Sequence, residues 1–469
     1  MGGLFGCALK SDCTMDLFYG TDYHSHLGTK RGGMAVKNSK GMAKAIKNIE
    51  NSYFRTKFET ELPHLEGNKG IGVISDNDSQ PLIIGSHLGT FGIATVAKIN
   101  NRAELAADAF NRGIHFSEAG EGEVNPTELV GMLINQGSNF VDGIKSAQAQ
   151  VQGSCSMLLL TEKGVYAARD RLGRTPLVLG KKDGGYGVTF ETTAFFNLGY
   201  EVVHYLGPGE IVLITPEGYE TVSPPGDDMQ VCAFLWVYYG YPASSYEGIS
   251  VEAVRYRCGR AMAREDDTPV DTVSGIPDSG IGHAIGYANE KGLPYMRPFV
   301  KYTPTWPRSF MPQNQQDRDL VARMKLIPVT ALIAGKRLLF CDDSIVRGTQ
   351  LTDNVRILYD AGAKEVHMRI ACPTLVYPCL FLNFSTSRST LDLAGRKAIY
   401  DLEGAEREET IHGYADPDAQ KTEDMVDKIR EKLGLTTLKY QRLEDMVEAI
   451  GLPKEKLCTH CWDGSSYSS

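Results

Sequence analysis

Two patterns of apolar spacing divide the chain. Up to about residue 221, apolar residues come in short runs broken by glycine. Residues 155–161 form one such run, Glu162-Lys163-Gly164 a turn, and residues 165–169 a second run. Runs of that length around a glycine turn predict paired strands. Two stretches, 38–51 and 126–136, read as helices. Strands and helices without strict alternation predict a layered α+β domain over residues 1–222. The breaker-rich string Ser223-Pro224-Pro225-Gly226-Asp227-Asp228 marks a boundary. Beyond it the two periods alternate: helix 251–265, strand 270–274, helix 281–291 stopped by Gly292-Leu293-Pro294, strand 338–341, helix 350–361 and strand 366–370. That alternation predicts an α/β domain with a parallel sheet and right-handed crossovers over residues 229–421. The tail, 422–469, reads as helices 422–433 and 443–450 and a cysteine-containing end. No internal repeat interrupts either half.

The totals narrow the class. Of 469 residues, 42% are apolar and 23% charged, as in ordinary globular proteins. A formal charge of −9 argues against a broad nucleic-acid footprint, although it leaves room for a local cationic pocket. No apolar stretch is long enough to cross a bilayer. Met1-Gly2-Gly3-Leu4-Phe5-Gly6 lacks the pattern of a signal peptide, so a cytoplasmic location is expected. There the ten cysteines read as free thiols or as metal or cluster ligands, not as a disulfide framework.

The sharpest motif is Leu338-Leu339-Phe340-Cys341-Asp342-Asp343-Ser344-Ile345-Val346-Arg347-Gly348-Thr349-Gln350. An apolar strand ends in two carboxylates, and a short hydroxyl- and glycine-bearing loop opens a helix. Open α/β sheets bind ligands at the carboxyl ends of their strands, and a helix N-terminus suits a phosphate. Adjacent acids there can hold ribose hydroxyls and steady Mg²⁺, which takes few protein ligands. The string resembles the 5-phosphoribosyl pyrophosphate (PRPP) signature of type I phosphoribosyltransferases. With Ile276-Pro277-Asp278-Ser279-Gly280, Lys301-Tyr302, Arg308-Ser309-Phe310 and Met324-Lys325-Leu326, residues 231–378 resemble the glutamine PRPP amidotransferase family. The resemblance implies catalytic roles for Asp342, Asp343, Lys301 and Arg308. It implies PRPP contacts from Asp278, Ser279, Gly280, Lys325, Ser344, Ile345, Val346, Arg347, Gly348 and Thr349. Ser279, Asp342 and Asp343 would be the Mg²⁺-associated residues.

Cys458-Thr459-His460-Cys461 has a spacing that lets two thiolates share one metal or cluster. The resemblance implies the other two ligands of a [4Fe–4S] cluster, Cys232 and Cys379. A structural Zn²⁺ or unmetallated thiols are the alternatives. Cys13, Cys155, Cys258, Cys341 and Cys372 read as small buried residues.

Gly3-Leu4-Phe5-Gly6, Tyr19-Gly20, His26-x-Gly28, Gln80-Pro81-Leu82, the string from Arg169-Asp170 to Pro176-Leu177 and Pro208-Gly209-Glu210 resemble the family's N-terminal nucleophile (Ntn) glutaminase domain. Its chemistry is missing. A glutaminase nucleophile of this type is an N-terminal cysteine activated by its own amine. Gly2 stands at that position, so no nucleophile is assigned. The family's arginine falls near Ser75, its oxyanion Asn-Gly pair near Lys98-Ile99, and its aspartate at Pro126. Cys7 is the one substitute, and exposing it would remove part of an inner strand.

The expectation is a PRPP transferase that displaces pyrophosphate with ammonia to give 5-phosphoribosylamine in purine biosynthesis, without its own glutaminase activity. Its partners would be PRPP, ammonia and a separate glutaminase or a true amidotransferase paralogue, and homo-oligomers are expected. A non-catalytic PRPP or nucleotide sensor and a glutamine-dependent enzyme with a non-standard nucleophile are the competing readings.

Overall fold

The strand Gly2–Leu9 is buried along its whole length and pairs antiparallel with Lys69–Ser75 on one side and Gly185–Thr189 on the other. A strand with both faces covered carries apolar side chains at odd and even positions alike. Leu4 and Ala8 face one apolar cluster, and Phe5, Cys7 and Leu9 another. The computed structural model describes residues 2–76, 78–117, 119–120, 123–301, 326–382, 389–405 and 407–465.

This strand belongs to a seven-stranded antiparallel sheet that stacks on a six-stranded antiparallel sheet. Strand Gly153–Leu160 shows the same division in the second sheet. Leu158 and Leu160 join the inter-sheet core, while Cys155, Met157 and Leu159 pack with Leu133, Ile134 and Ile144 of the helices Pro126–Ile134 and Phe140–Gln150. Helices Thr14–Asp22 and Phe54–Phe58 cover the outer face of the first sheet. The result is a helix–sheet–sheet–helix stack. The predicted hairpin is present, with Val165 opposite Leu160.

One element differs from expectation. Residues 38–51 are not helical: strand Gly41–Asn48 pairs with Arg31–Asn38 across a tight turn that brings Asn38 opposite Gly41. Its alanines and lysines favour a helix when isolated. Hairpin closure and burial of Ala45 override that preference, and Lys44 and Lys47 lie on the edge of the sheet, where lysines discourage further pairing. Helices Thr14–Asp22, Arg102–Asn111 and Phe140–Gln150 were not anticipated either.

The C-terminal half is built on a parallel sheet in the order Thr272–Gly275, Arg337–Asp342, Glu365–Ile370, Thr437–Tyr440. Helices Val251–Arg264, Gly280–Lys291 and Thr349–Asp360 form as the apolar period indicates. The tail supplies the fourth strand besides its helices Gln420–Leu433 and Leu443–Ile450. It also sends Leu457–Cys458 back to pair with Val231–Cys232, just after the domain boundary, and Trp462 stacks on Phe234 with ring centroids 4.7 Å apart. Among the described residues, no helix is long and apolar enough to cross a membrane.

Candidate active site

Strands Thr272–Gly275 and Arg337–Asp342 run side by side and end together, each followed by a loop and a helix. The Ile276 amide donates to the Cys341 carbonyl at 3.0 Å, and the Ala371 amide to the Asp342 carbonyl at 2.9 Å. Gly280 permits the close approach of the two units, because a side-chain carbon there would overlap the Cys341 carbonyl oxygen. Gly348, with φ of 76°, turns the second loop into helix Thr349–Asp360.

Between them opens a cleft of about 510 Å³ lined by Asp342, the whole run from Ser344 to Thr349, and also Ile276 and Asn354. Asp343 is buried with 4% exposure. Its carboxylate accepts from the Ser344 hydroxyl at 2.7 Å, and Ser279 also hydrogen-bonds to it. Burial and the neighbouring Asp343 charge push Asp342 well above the usual carboxylate range. Burial pushes Asp343 up as well, opposed by Ser279, Ser344 and the charge of Arg255. Sequence reasoning missed Arg255. It is buried within a predicted helix, donates to the carbonyls of Trp236, Tyr238 and Gly240 at 2.9–3.0 Å, and no local string marks it.

Lys301 closes an ion pair with Asp278 at the edge of the site. It ends a short ribbon in which Phe299–Lys301 pairs with Leu326–Pro328. Arg347 reaches Asp392 at 3.4 Å. Arg308 and Lys325 lie outside the described residues.

The N-terminal domain presents the opposite picture. Gly2, Ser75 and Pro126, the positions at or near which the resemblance places the family's nucleophile, arginine and aspartate, line one niche. It holds about 20 Å³, room for a single water and not for an amino acid. Polar side chains fill it by bonding to one another. Thr127 donates to Asp78, the Gln80 amide bridges the Thr95 backbone at 3.0 and 2.7 Å, and Thr95 and Thr127 hydroxyls meet at 2.7 Å. Burial raises the Asp78 carboxyl above its ordinary range. A side-chain carbon on Gly2 would overlap the Ile74 carbonyl oxygen. Cys7 is fully buried in mid-strand, and the adjacent Cys13 thiol and burial push its own thiol well up.

The four cysteines singled out in the sequence are brought together. Cys232 lies beside Cys458 in a parallel pairing, and the Val376 and Tyr377 amides both donate to the Cys461 carbonyl at 3.2 Å. The Cys461 thiol pulls Cys379 down to about 6, while burial pushes Cys458 up to about 11. Lys98 donates to the Cys379 carbonyl at 2.5 Å, and Arg174, close to Cys458, lies 3.6 Å over the Phe381 ring. Among the described residues, no three His, Cys, Asp or Glu side chains are arranged around a single ion. Cys13, Cys155, Cys258, Cys341 and Cys372 are all buried.

A glutamine amidotransferase domain family matches residues 69–196. The amidophosphoribosyltransferase of Methanocaldococcus jannaschii is 31% identical over 490 residues, covering 99% of this chain and 97% of the relative. That of Bacillus subtilis is 28% identical, covering 96% and 89%. The solved glutamine PRPP amidotransferase from B. subtilis, complexed with ADP and GMP, superposes with a TM-score of 0.85 at 26% identity, covering 100% of this chain and 97% of that one. The N-terminal half therefore has the Ntn-type fold and the C-terminal half the phosphoribosyltransferase fold. The paired strand–loop–helix units, the stacked antiparallel sheets and relatives matched end to end agree: the chain belongs to the amidophosphoribosyltransferase family.

Proposed function

We propose that this chain catalyses the Mg²⁺-dependent displacement of pyrophosphate from PRPP by ammonia, without glutaminase chemistry of its own. The observation that carries the reading is the contrast between the open cleft at Asp342 and the filled niche at Gly2. Ammonia's lone pair forms the bond to ribose C1 as the C1–O bond to pyrophosphate breaks. The electron pair leaves with pyrophosphate, and the new ammonium group loses a proton to give the free amine of 5-phosphoribosylamine. Loop amides and hydroxyls from Ser344 to Thr349 would hold the 5-phosphate. Asp342 and Asp343 would hold the ribose hydroxyls and, with Ser279, the Mg²⁺, whose role is to offset charge on pyrophosphate. Two carboxylates and a hydroxyl suit an ion that keeps most of its shell as water and phosphate oxygens. Lys301, and Arg308 and Lys325 beyond the described residues, would meet the departing pyrophosphate.

The test is pyrophosphate release from Mg-PRPP, with ammonium or glutamine supplied separately. Release with ammonium alone is expected, and it would direct attention to a partner glutaminase or a true amidotransferase paralogue as the nitrogen source. Release with glutamine would refute the loss of glutaminase function. Release with neither would favour a PRPP sensor.

Cys232, Cys379, Cys458 and Cys461 would hold a [4Fe–4S] cluster. Such a cluster takes one thiolate per iron, so its ligands do not converge on one ion. Lys98 and Arg174 beside the cysteines suit its net negative charge. Its contribution would be structural, since the transfer moves no electrons. Iron and acid-labile sulfide in anaerobically purified protein check this; zinc, or neither, would refute it.

A further inference from the structure

The segment Cys379-Leu380-Phe381-Leu382 of the transferase half is seated on the N-terminal domain, residue by residue. The Lys98 amine donates to the Cys379 carbonyl, and the Asn100 side-chain amide donates to the Leu380 carbonyl at 2.8 Å. The Phe381 ring lies 3.6 Å from the Arg174 guanidinium. Leu382 lines the same niche as Gly2, Ser75 and Pro126. Phe381 and Leu382 are 7% and 5% exposed, whereas the Leu380 side chain faces solvent. Lys98 stands near the position where the family carries its oxyanion pair, and its amine is turned to the transferase half instead.

The contact extends to a sulfur atom. The Leu382 amide donates to Cys379 Sγ at 3.3 Å, and the Phe381 amide bonds to the same sulfur. The two buried side chains therefore fix the two amides that hold one thiolate. The charge of Lys98 favours that thiolate as well.

We propose that the former glutaminase site is a socket for residues 379–382, and that the N-terminal domain acts through it as the holder of Cys379. The consequence for iron rests on the [4Fe–4S] reading given above. Amides and cations beside a ligand sulfur orient it and temper its negative charge. A thiolate whose backbone is pinned rebinds its iron before the segment can move away. A domain that hydrolyses no glutamine thus keeps a task, and the filled niche is part of it.

The test compares anaerobically purified full-length protein with Lys98→Met/Asn100→Ala and, separately, with Leu382→Ala. Hydrogen exchange of the Phe381 and Leu382 amides should quicken roughly tenfold or more in each variant. Iron transfer to the chelator bathophenanthroline should quicken with it. Unchanged slow exchange in strands Gly153–Leu160 and Arg337–Asp342 would show that both halves remain folded. Unaltered exchange at residues 381 and 382 in both variants would overturn the socket. Faster exchange with unaltered iron transfer would overturn the holding of Cys379. Wild-type protein without iron and sulfide would fail the cluster reading instead, and the exchange comparison would still decide the socket.

Discussion

Gly2 and Asp343 show how much a single residue settles. At Gly2 the backbone lies so close to Ile74 that a side chain has nowhere to stand, and the niche beside it is filled by Asp78, Thr95 and Thr127. Restoring the missing thiol should therefore not restore the activity. Gly2→Cys is expected to hydrolyse no glutamine and to lose about 1–3 kcal/mol of stability from overpacking. A glutaminase assay and a denaturant melt read the two effects, and glutamine turnover in this variant would refute the account of the niche. Asp343 is the buried member of the acid pair and answers to Ser279 and Ser344 together. Asp343→Asn should cut pyrophosphate release at least tenfold, equivalent to about 1.4 kcal/mol of transition-state stabilisation. Unaltered PRPP affinity and turnover would sink the site assignment.

Among the elements, those whose information is contiguous were legible beforehand. The unit from Arg337 to Asp360 is one string of strand, loop and helix, and its motif lies where the structure opens a cleft. The segment 38–51 misled because a helix and an edge strand can share alanines and lysines, and only its partner Arg31–Asn38 decides. Strand Thr437–Tyr440 was missed for the same reason: four residues carry too short a pattern, and their place is set by Glu365–Ile370. The tail is an element held from several sides, by that strand, by Leu457–Cys458 against Val231–Cys232, and by Trp462 on Phe234. If a cluster adds a further tie, Cys458→Ser/Cys461→Ser should abolish iron binding and speed proteolysis within the last residues. Retained iron or unchanged proteolysis would refute that tie.

For the whole molecule, the junction of the two halves is polar and buried. Glu191 accepts from the Tyr246 hydroxyl at 2.6 Å and the Tyr241 amide at 3.2 Å, and pairs with His26 at 3.0 Å. Beneath it, His24 is fixed in one neutral tautomer. Its Nδ1 donates to the Gly20 carbonyl at 2.8 Å, while Nε2 accepts from the Glu191 amide at 3.2 Å. Burial lowers its pKa to about 4, against about 6.5 in the unfolded chain. The unfolded state thus takes up this proton first as pH falls. The contribution is full above pH 6.5 and is lost towards pH 4, at up to about 1.4 kcal/mol per pH unit. Urea midpoints at pH 7 and pH 5 should show the loss, and His24→Gln should flatten it; an equally steep variant would remove His24 as the cause. The amino-acid sequence by itself determined the alternation of strands and helices, the Asp342–Thr349 motif and the absence of a nucleophile at Gly2, because each is written in neighbouring residues. Only the tertiary structure decided that Gly2, Ser75 and Pro126 close one niche and that four cysteines from three regions meet. Those are contacts between distant segments, set by which apolar faces are buried together, and no local pattern encodes them.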